Sequence, residues 1–549
     1  MRKSTHLTGV FKFRQYAEKL AHANLCRLYI STICLKYMPS YVIVFNGSDS
    51  MDNFIHIGYN NFSGQVGKTE FCDPAKMGAD FIFCHFDPIG KTLKEECEFA
   101  ADVAKHIKDM GLDFIANFEF PNFSDYNQTT DGFDWCNNPD GTHRLNLPEE
   151  YVRALASQGN LIGITHDEME HILINNNLSI TLNKNARNRL PMFLPANTTD
   201  VVEQGEVCSR QFREYADSFR SMGAPVFGGE HVFPVLYHTF ARNGIIPNFK
   251  SQKESYSNLQ FSVAAGAAMQ YGTELWNCID LWHKLTYPGH TADEMYHNLV
   301  FSYMMGVDRV YVEASNQFYD GDKLTDYGKA YKKFIDEYKN KARSYTVRDY
   351  KPEIGIIRYD DTYWGQGDPI AWRKILFGNK KIKPDKRAKE WVRVFRLITH
   401  RETSRHAINW NRISPWSLKP HRSFASMNGT AVFDDRVEKD KLLSLKLCFL
   451  CGYHISEKTL KAVGELVKEN GLTVVTSKRF APEHIKAKGS FTKINDGKGC
   501  WIVTNRFDSK MLKKAVSQFL GNKGEMTYRF GDKKFTFKIS ENGETFEMI

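Results

Sequence analysis

No run of the 549 residues is long and apolar enough to cross a bilayer, which takes about 20 such residues. The first fifty residues start basic, but Arg27, Lys36 and Pro39 break their apolar stretch. That spoils a signal-peptide core, so residues 1–50 read as a weakly ordered leader or an upstream start. No phosphate-binding loop and no GxGxxG after a strand is present, so nucleotide chemistry has no support. RNP, zinc-finger and helix-turn-helix signatures are also missing, and no nucleic-acid partner is expected. There is no solenoid repeat and no low-complexity segment. His166 and His171 lie five residues apart, on different faces of any helix, and do not make a HExxH site. The HxH pair of metal-dependent barrel hydrolases is absent as well, so neither a metal nor another cofactor is expected.

Cysteine is scarce as a framework. The eleven cysteines are odd in number and sit mostly in apolar strands, such as Cys84, Cys278 and Cys448. That pattern fits reduced thiols in a cytoplasmic protein. Cys448 and Cys451 form a CxxC inside LKLCFLCG with no second pair, which is a poor zinc site. The formal net charge of +9 is concentrated between Arg373 and Arg422, and reads as a solvated helix face with its flanking loop.

What is abundant is the alternation of short apolar strand, loop and amphipathic helix. Strands are expected at 54–58, 80–86, 112–120, 160–165, 224–230, 244–249, 274–280 and 308–313. Helices follow at 92–110, 148–158, 209–222, 256–271, 292–305 and 327–341. Eight strands within residues 51–345 is the count of a (β/α)8 TIM barrel; a doubly wound open sheet is the competing fold. A new series begins near Arg348, with strands at 353–359, 430–433, 445–451 and 472–476. Helical runs are expected at 371–377, 388–399 and 456–470, the last stopped by Gly471 at its C′ position. Residues 346–490 therefore read as a smaller open-sheet α/β domain. Residues 491–549 complete it with a strand at 500–504, a helix at 509–520 and a hairpin over 526–540 turning at Gly531-Asp532.

Chemistry gathers where the barrel strands end. Those ends carry Asn117, Glu119, His166, Asp167, Glu168, Glu230, His231, Asp280 and Glu313, with Trp276, Trp282 and Tyr311 on the same strands. A carboxylate-rich, aromatic-lined cup suits glycosidic bond cleavage: one carboxyl protonates the leaving oxygen, while another attacks or activates water. Aromatic faces would hold the sugar ring, and Asn and His side chains would bind its hydroxyls. Glu230 ends an apolar strand and follows Gly228-Gly229, where missing side chains would let a ligand approach the backbone. The expected catalytic set is Glu168, Glu230, Asp280 and Glu313. His166, Asp167, Asn117, Glu119, His231, Trp276, Trp282 and Tyr311 are the expected substrate-binding set.

Two segments resemble the β-galactosidases of glycoside hydrolase family 42. LTDYGKAYKKFIDEY (324–338) resembles the helix that closes their barrel. LCFLCGYHISEKTLKAVGELVKENGLTVVTS (447–477) is similar to the strand–helix–strand of their trimerisation domain. The resemblance implies a catalytic barrel joined to an amidotransferase-like domain, which here shows no Cys nucleophile on a strand–helix elbow and would be structural or oligomeric. It also implies an acid/base after strand four and a nucleophile after strand seven. Strand four here ends His166-Asp167-Glu168 where those enzymes carry Asn-Glu, and strand seven offers Asp280. Glu168 and Asp280 correspond best in position, with Glu230 and Glu313 as rivals. The expectation is a cytoplasmic glycoside hydrolase of small glycosides or oligosaccharides, with a homo-oligomer possible through its second domain. The alternatives are a non-catalytic carbohydrate-binding scaffold and a metal-dependent hydrolase.

Overall fold

The first strand starts at His56, where an apolar segment pairs on both sides with later strands and leaves no edge. The computed structural model describes residues 53–66, 73–118, 128–135, 147–166, 196–231, 234–252, 256–281, 290–313, 315–363, 376–403 and 422–549. Strands β1 (His56–Phe62), β2 (Phe81–His85), β3 (Asp113–Phe118), β4 (Leu161–His166), β5 (Phe227–His231), β6 (Ile246–Ser251), β7 (Trp276–Asp280) and β8 (Arg309–Glu313) close into a parallel barrel. Between them run helices α1 (Leu93–Asp109), α2 (Glu149–Ala156), α3 (Val201–Ser221), α4 (Tyr237–Arg242), α5 (Ser257–Tyr271) and α6 (Ala292–Met304), and α7 (Asp326–Tyr338) follows β8. The α1 start shows why the sequence folds so locally. Thr92 accepts from Glu95 N while the Glu95 side chain accepts from Thr92 N, a reciprocal cap.

Alternation along the strands divides the apolar side chains. Those pointing out join the main core under the helices. Phe81, Phe83, Ile115, Ile246, Trp276, Cys278 and Tyr311 form a separate cluster that plugs the barrel interior. Phe83 stacks on Tyr311 with ring centroids 3.8 Å apart.

After a two-strand ribbon, β9 (Tyr319–Asp320) with β10 (Lys323–Leu324), a second sheet forms. It comprises β11 (Ile354–Ile357), β13 (Thr430–Phe433), β14 (Leu447–Leu450), β15 (Thr473–Thr476), β16 (Phe491–Asp496) and β17 (Gly499–Thr504). The order is β13-β11-β14-β15-β17-β16, parallel except at the β16 edge. A four-stranded sheet adds β12 (Met427–Asn428), β18 (Glu525–Phe530), β19 (Lys533–Ile539) and β20 (Phe546–Met548). The expected hairpin is β18–β19, and Gly471 has the positive φ (79°) expected at the end of helix Glu457–Asn470.

Helix α5 joins the barrel to the second sheet. Its sequence is mostly apolar or small, with Asn258 and Gln260 buried among those residues, and it packs against β6 and β13. Gly266 permits this: a Cβ there would lie 1.7 Å from Val432 O. Polar groups fix the docking. Arg242 Nη1 lies 3.0 Å from Asp434 Oδ2, to which Tyr271 OH also donates, and the His238 ring meets Val432 O at 2.9 Å. Asp360 receives Leu236 N, Thr239 N and the Thr239 hydroxyl.

Several expected boundaries shift, with consequences for the site. The first strand runs to Phe62 rather than Gly58, because Asn60 and Asn61 are buried in the barrel end instead of forming a loop. The sixth runs to Ser251, bringing Lys250 into the barrel. Helix α4 was not expected. Of the helical run expected at 371–377, residues 371–375 lie outside the described residues, and Leu376–Asn379 is a tight turn bridged between its ends. The helix expected to reach Leu520 ends at Val516 and continues as a 3-10 turn. The leader at 1–50 lies outside the described residues. Among the described residues no helix is long and apolar enough to cross a membrane.

Two outcomes test the junction. Gly266→Val should lower stability by at least about 2 kcal/mol in urea unfolding, because backbone blocks the new side chain; an unchanged midpoint would refute the tight contact. Burial and neighbouring Asp434 push the Asp435 carboxyl well above the usual carboxylate range. A raised folded-state pKa means that wild-type stability falls as pH rises from about 4, the unfolded value, through the folded one. Asp435→Asn should therefore melt higher than wild type at pH 8, with the gap closing by pH 4. A gap independent of pH would contradict this.

Candidate active site

At the C-terminal end of the barrel the inward positions change from apolar to polar on every strand. β1 places Asn60 there, β2 His85, β3 Asn117, β4 Thr165, β5 Glu230, β6 Lys250, β7 Asp280 and β8 Glu313. The strand register aligns His85 with Asn117, Asn117 with Thr165, and Asp280 with Glu313, while Asn60 lies level with Phe83 and Phe62 with His85. Seven of the eight are buried, and Glu313 retains 16% side-chain exposure. The ring has two unlike halves, since β1–β4 supply amides, a hydroxyl and an imidazole while β5–β8 supply three carboxyls and one ammonium.

The charged half is organised by Lys250. Its Nζ lies 2.8 Å from Glu230 Oε1, 3.0 Å from Glu313 Oε2 and 3.5 Å from Asp280 Oδ2. An ammonium buried without counter-charges would cost many kcal/mol, and carboxylates at these distances favour its charged form. A chain of donors adds to this. Asn248 Nδ2 donates to Tyr311 OH at 2.9 Å, and Tyr311 OH donates to Glu230 Oε2 at 2.7 Å. Cys278 Sγ donates to Glu313 Oε2 at 3.4 Å. Burial pushes the Tyr311 phenol and the Cys278 thiol well above their ordinary ranges, with nearby acidic groups adding to the shift, so both remain protonated donors. Farther out, His290 lies 2.7 Å from Glu294. That contact, helped by Asp280, lifts its imidazole above the ordinary range against the opposing effect of burial.

Oxygen atoms of Glu230 and Glu313 and the Cys278 sulfur lie within 4.8 Å of one another, a grouping with metal-ligand types. Lys250 already places its ammonium against both of these carboxyls, at 2.8 and 3.0 Å, which sets a positive charge where a cation would have to sit.

The structure brings together four expected residues: Glu230, Asp280, Glu313 and Tyr311. Asn117 sits across the ring, its Nδ2 3.2 Å from His85 Nδ1. Glu119, Asp167, Glu168 and Trp282 lie outside the described residues. His166 and His231 end β4 and β5, and only their strand positions are described. Two readings are corrected. Trp276 is 1% exposed within the apolar plug, its Nε1 donating to Glu274, so it offers no face to a sugar. Gly228 and Gly229 do not make room for a ligand: a Cβ at Gly228 would meet Trp276 and the Thr165 hydroxyl at 2.9 Å, and one at Gly229 the Phe240 ring at 2.1 Å. Their smallness serves packing.

Sequence reading missed Asn60, His85, Thr165, Asn248 and Lys250. The signal for Asn248 and Lys250 was there: Ile246, Asn248 and Lys250 alternate with period two, the spacing of one strand face.

No family model matches this sequence, and no curated protein matches it. Among solved structures the chain is similar to the catalytic domain of a β-amylase from Paenibacillus polymyxa, at 10% identity and a TM-score of 0.34, over 53% of this chain and 99% of that one. A β-1,4-mannanase from the sea hare Aplysia kurodai gives 12% identity and a TM-score of 0.33, over 56% and 98%. The 3-dehydroquinate dehydratase of Aquifex aeolicus gives 11% and 0.27, over 51% and 99%. Likenesses this distant leave the chemistry to the site's own residues.

Lys250→Met should lower stability by about 3–5 kcal/mol, because it strands two buried carboxyls and a partly buried third without their cation. Urea unfolding at neutral pH measures this. A variant as stable as wild type would show that Lys250 does not hold the cluster together.

Proposed function

We propose that the chain is a retaining glycoside hydrolase with Glu230 and Glu313 as its carboxylate pair. The observation that carries this reading is the convergence of their oxygens to within 4.8 Å beside Lys250, at the end of the barrel where such enzymes work. Retaining enzymes keep the two carboxyls about 5–5.5 Å apart, whereas inverting ones need about 6.5–9.5 Å to admit a water. Nearest oxygens within 4.8 Å of each other, both held by one ammonium, favour the former.

The roles divide by environment. Glu230 is 1% exposed and both of its oxygens are held, by Tyr311 OH and Lys250 Nζ. A carboxylate fixed in this way suits the nucleophile, whose attack on the anomeric carbon expels the leaving oxygen. Glu313 is the ring's partly exposed carboxyl, and an acid/base must exchange protons with leaving group and water. Entering the first step protonated, with Glu230 and Asp280 left to balance Lys250, it gives its proton to the leaving oxygen, then takes one from the water that releases the sugar from Glu230. Asp280, fully buried and 3.5 Å from Lys250 Nζ, is a further counter-charge to that ammonium.

Glu230→Gln and Glu313→Gln should each lower kcat at least about 10³-fold, or ~4 kcal/mol of transition-state stabilisation, on whichever aryl glycoside of a panel the wild type cleaves. Melting temperatures should stay within a few degrees, since each change removes one carboxyl from a cluster with three. Wild-type turnover in either variant would refute the assignment.

A further inference from the structure

The neutral half of the ring has its own chemistry, and it speaks to the kind of sugar bound. Asn117 uses its amide donor on His85, leaving Oδ1 buried with no hydrogen-bond partner. Asn60 Nδ2 and Thr165 Oγ1 are likewise buried without one. All three residues are at most 4% exposed, and the register places them on the inward face of β1, β3 and β4. The unmet set is thus one donor, one acceptor and one group able to be either. Above it Phe62, 36% exposed at the end of β1, stacks on His85 with ring centroids 5.0 Å apart.

We infer that the arc Asn60–His85–Asn117–Thr165, with Phe62 at its rim, receives an uncharged sugar ring, so that the substrates are neutral glycosides rather than uronides or sugar phosphates. This rests on the glycosidase reading of the site and narrows it. The hydrogen-bonding inventory carries the argument. Hydroxyls both give and accept, so the several hydroxyls of one sugar ring can serve the donor Asn60 Nδ2, the acceptor Asn117 Oδ1 and the Thr165 hydroxyl alike. A carboxylate or phosphate only accepts, and would face Asn117 Oδ1 acceptor to acceptor; an ammonium only donates, and would face Asn60 Nδ2 donor to donor. Charge acts in the same sense. An anionic sugar in this ring would meet Glu230, Asp280 and Glu313, while the ammonium of Lys250 is already engaged by all three. The exposed ring of Phe62 suits the apolar face of a sugar.

The test is calorimetric binding to the full chain, independent of turnover. Glucose, galactose, mannose and xylose are compared with glucuronate, galacturonate and glucose 6-phosphate. At least one neutral sugar should bind saturably, and its acidic counterpart at least tenfold more weakly. Asn117→Asp, nearly the same shape, should weaken neutral binding tenfold or more; Thr165→Val serves if that variant folds poorly. Equal or tighter binding of an acidic sugar would overturn the inference, as would no binding of any neutral one. Neutral sugars bound without any glycoside being cleaved would uphold the arc and sink the hydrolase reading. Cleavage of a uronide that depends on Glu230 would do the reverse.

Discussion

A lysine buried at the end of a barrel must be neutralised where it stands, and much of this site follows from that constraint. Lys250 is 1% exposed, and water cannot solvate its ammonium. Carboxyls from β5, β7 and β8 do so instead, at 2.8, 3.5 and 3.0 Å. Because the counter-charges come from three strands, they hold only if the barrel is closed and its register kept. The price of burying so much charge is offset by the donors around it, Tyr311 and Cys278, which burial keeps protonated.

Beneath the ring, Phe81, Phe83, Trp276 and Tyr311 fill the barrel and exclude water from below. Tyr311 belongs to both layers: its ring stacks on Phe83 while its hydroxyl reaches Glu230. Packing in the plug is thereby tied to the orientation of one carboxyl. The second sheet presses on the same wall from outside. Helix α5, which follows the Lys250 strand, is clamped between β6 and β13, and Gly266 sets how closely.

The eight-strand alternation was legible in the sequence because the strands are compact apolar runs separated by amphipathic helices, and both periods survive folding. Glu230, Asp280 and Glu313 were legible for a related reason: a carboxyl ending an apolar strand has few other places to go. Lys250 and Asn60 were missed because strand ends depend on pairing with distant partners, and both residues sit just past the ends expected from local pattern. Trp276 was misplaced because alternation tells which face a residue takes but not how deep along the barrel it lies. The small size of Gly228 and Gly229 answers to Trp276 and Phe240, partners from other elements that no local pattern reveals. The neutral half of the ring was the hardest to foresee, since a lone Asn or Thr on a strand carries no signal until the register sets it beside others.

A retaining mechanism turns on which side chain bears the sugar during turnover. Trapping the full chain with a 2-deoxy-2-fluoro glycoside of a cleaved neutral substrate, followed by peptide mass analysis, reads this directly. One glycosyl group, on the peptide containing Glu230, is the expected result. A label on a residue outside the ring, or steady consumption of the reagent with no labelled peptide, would contradict it.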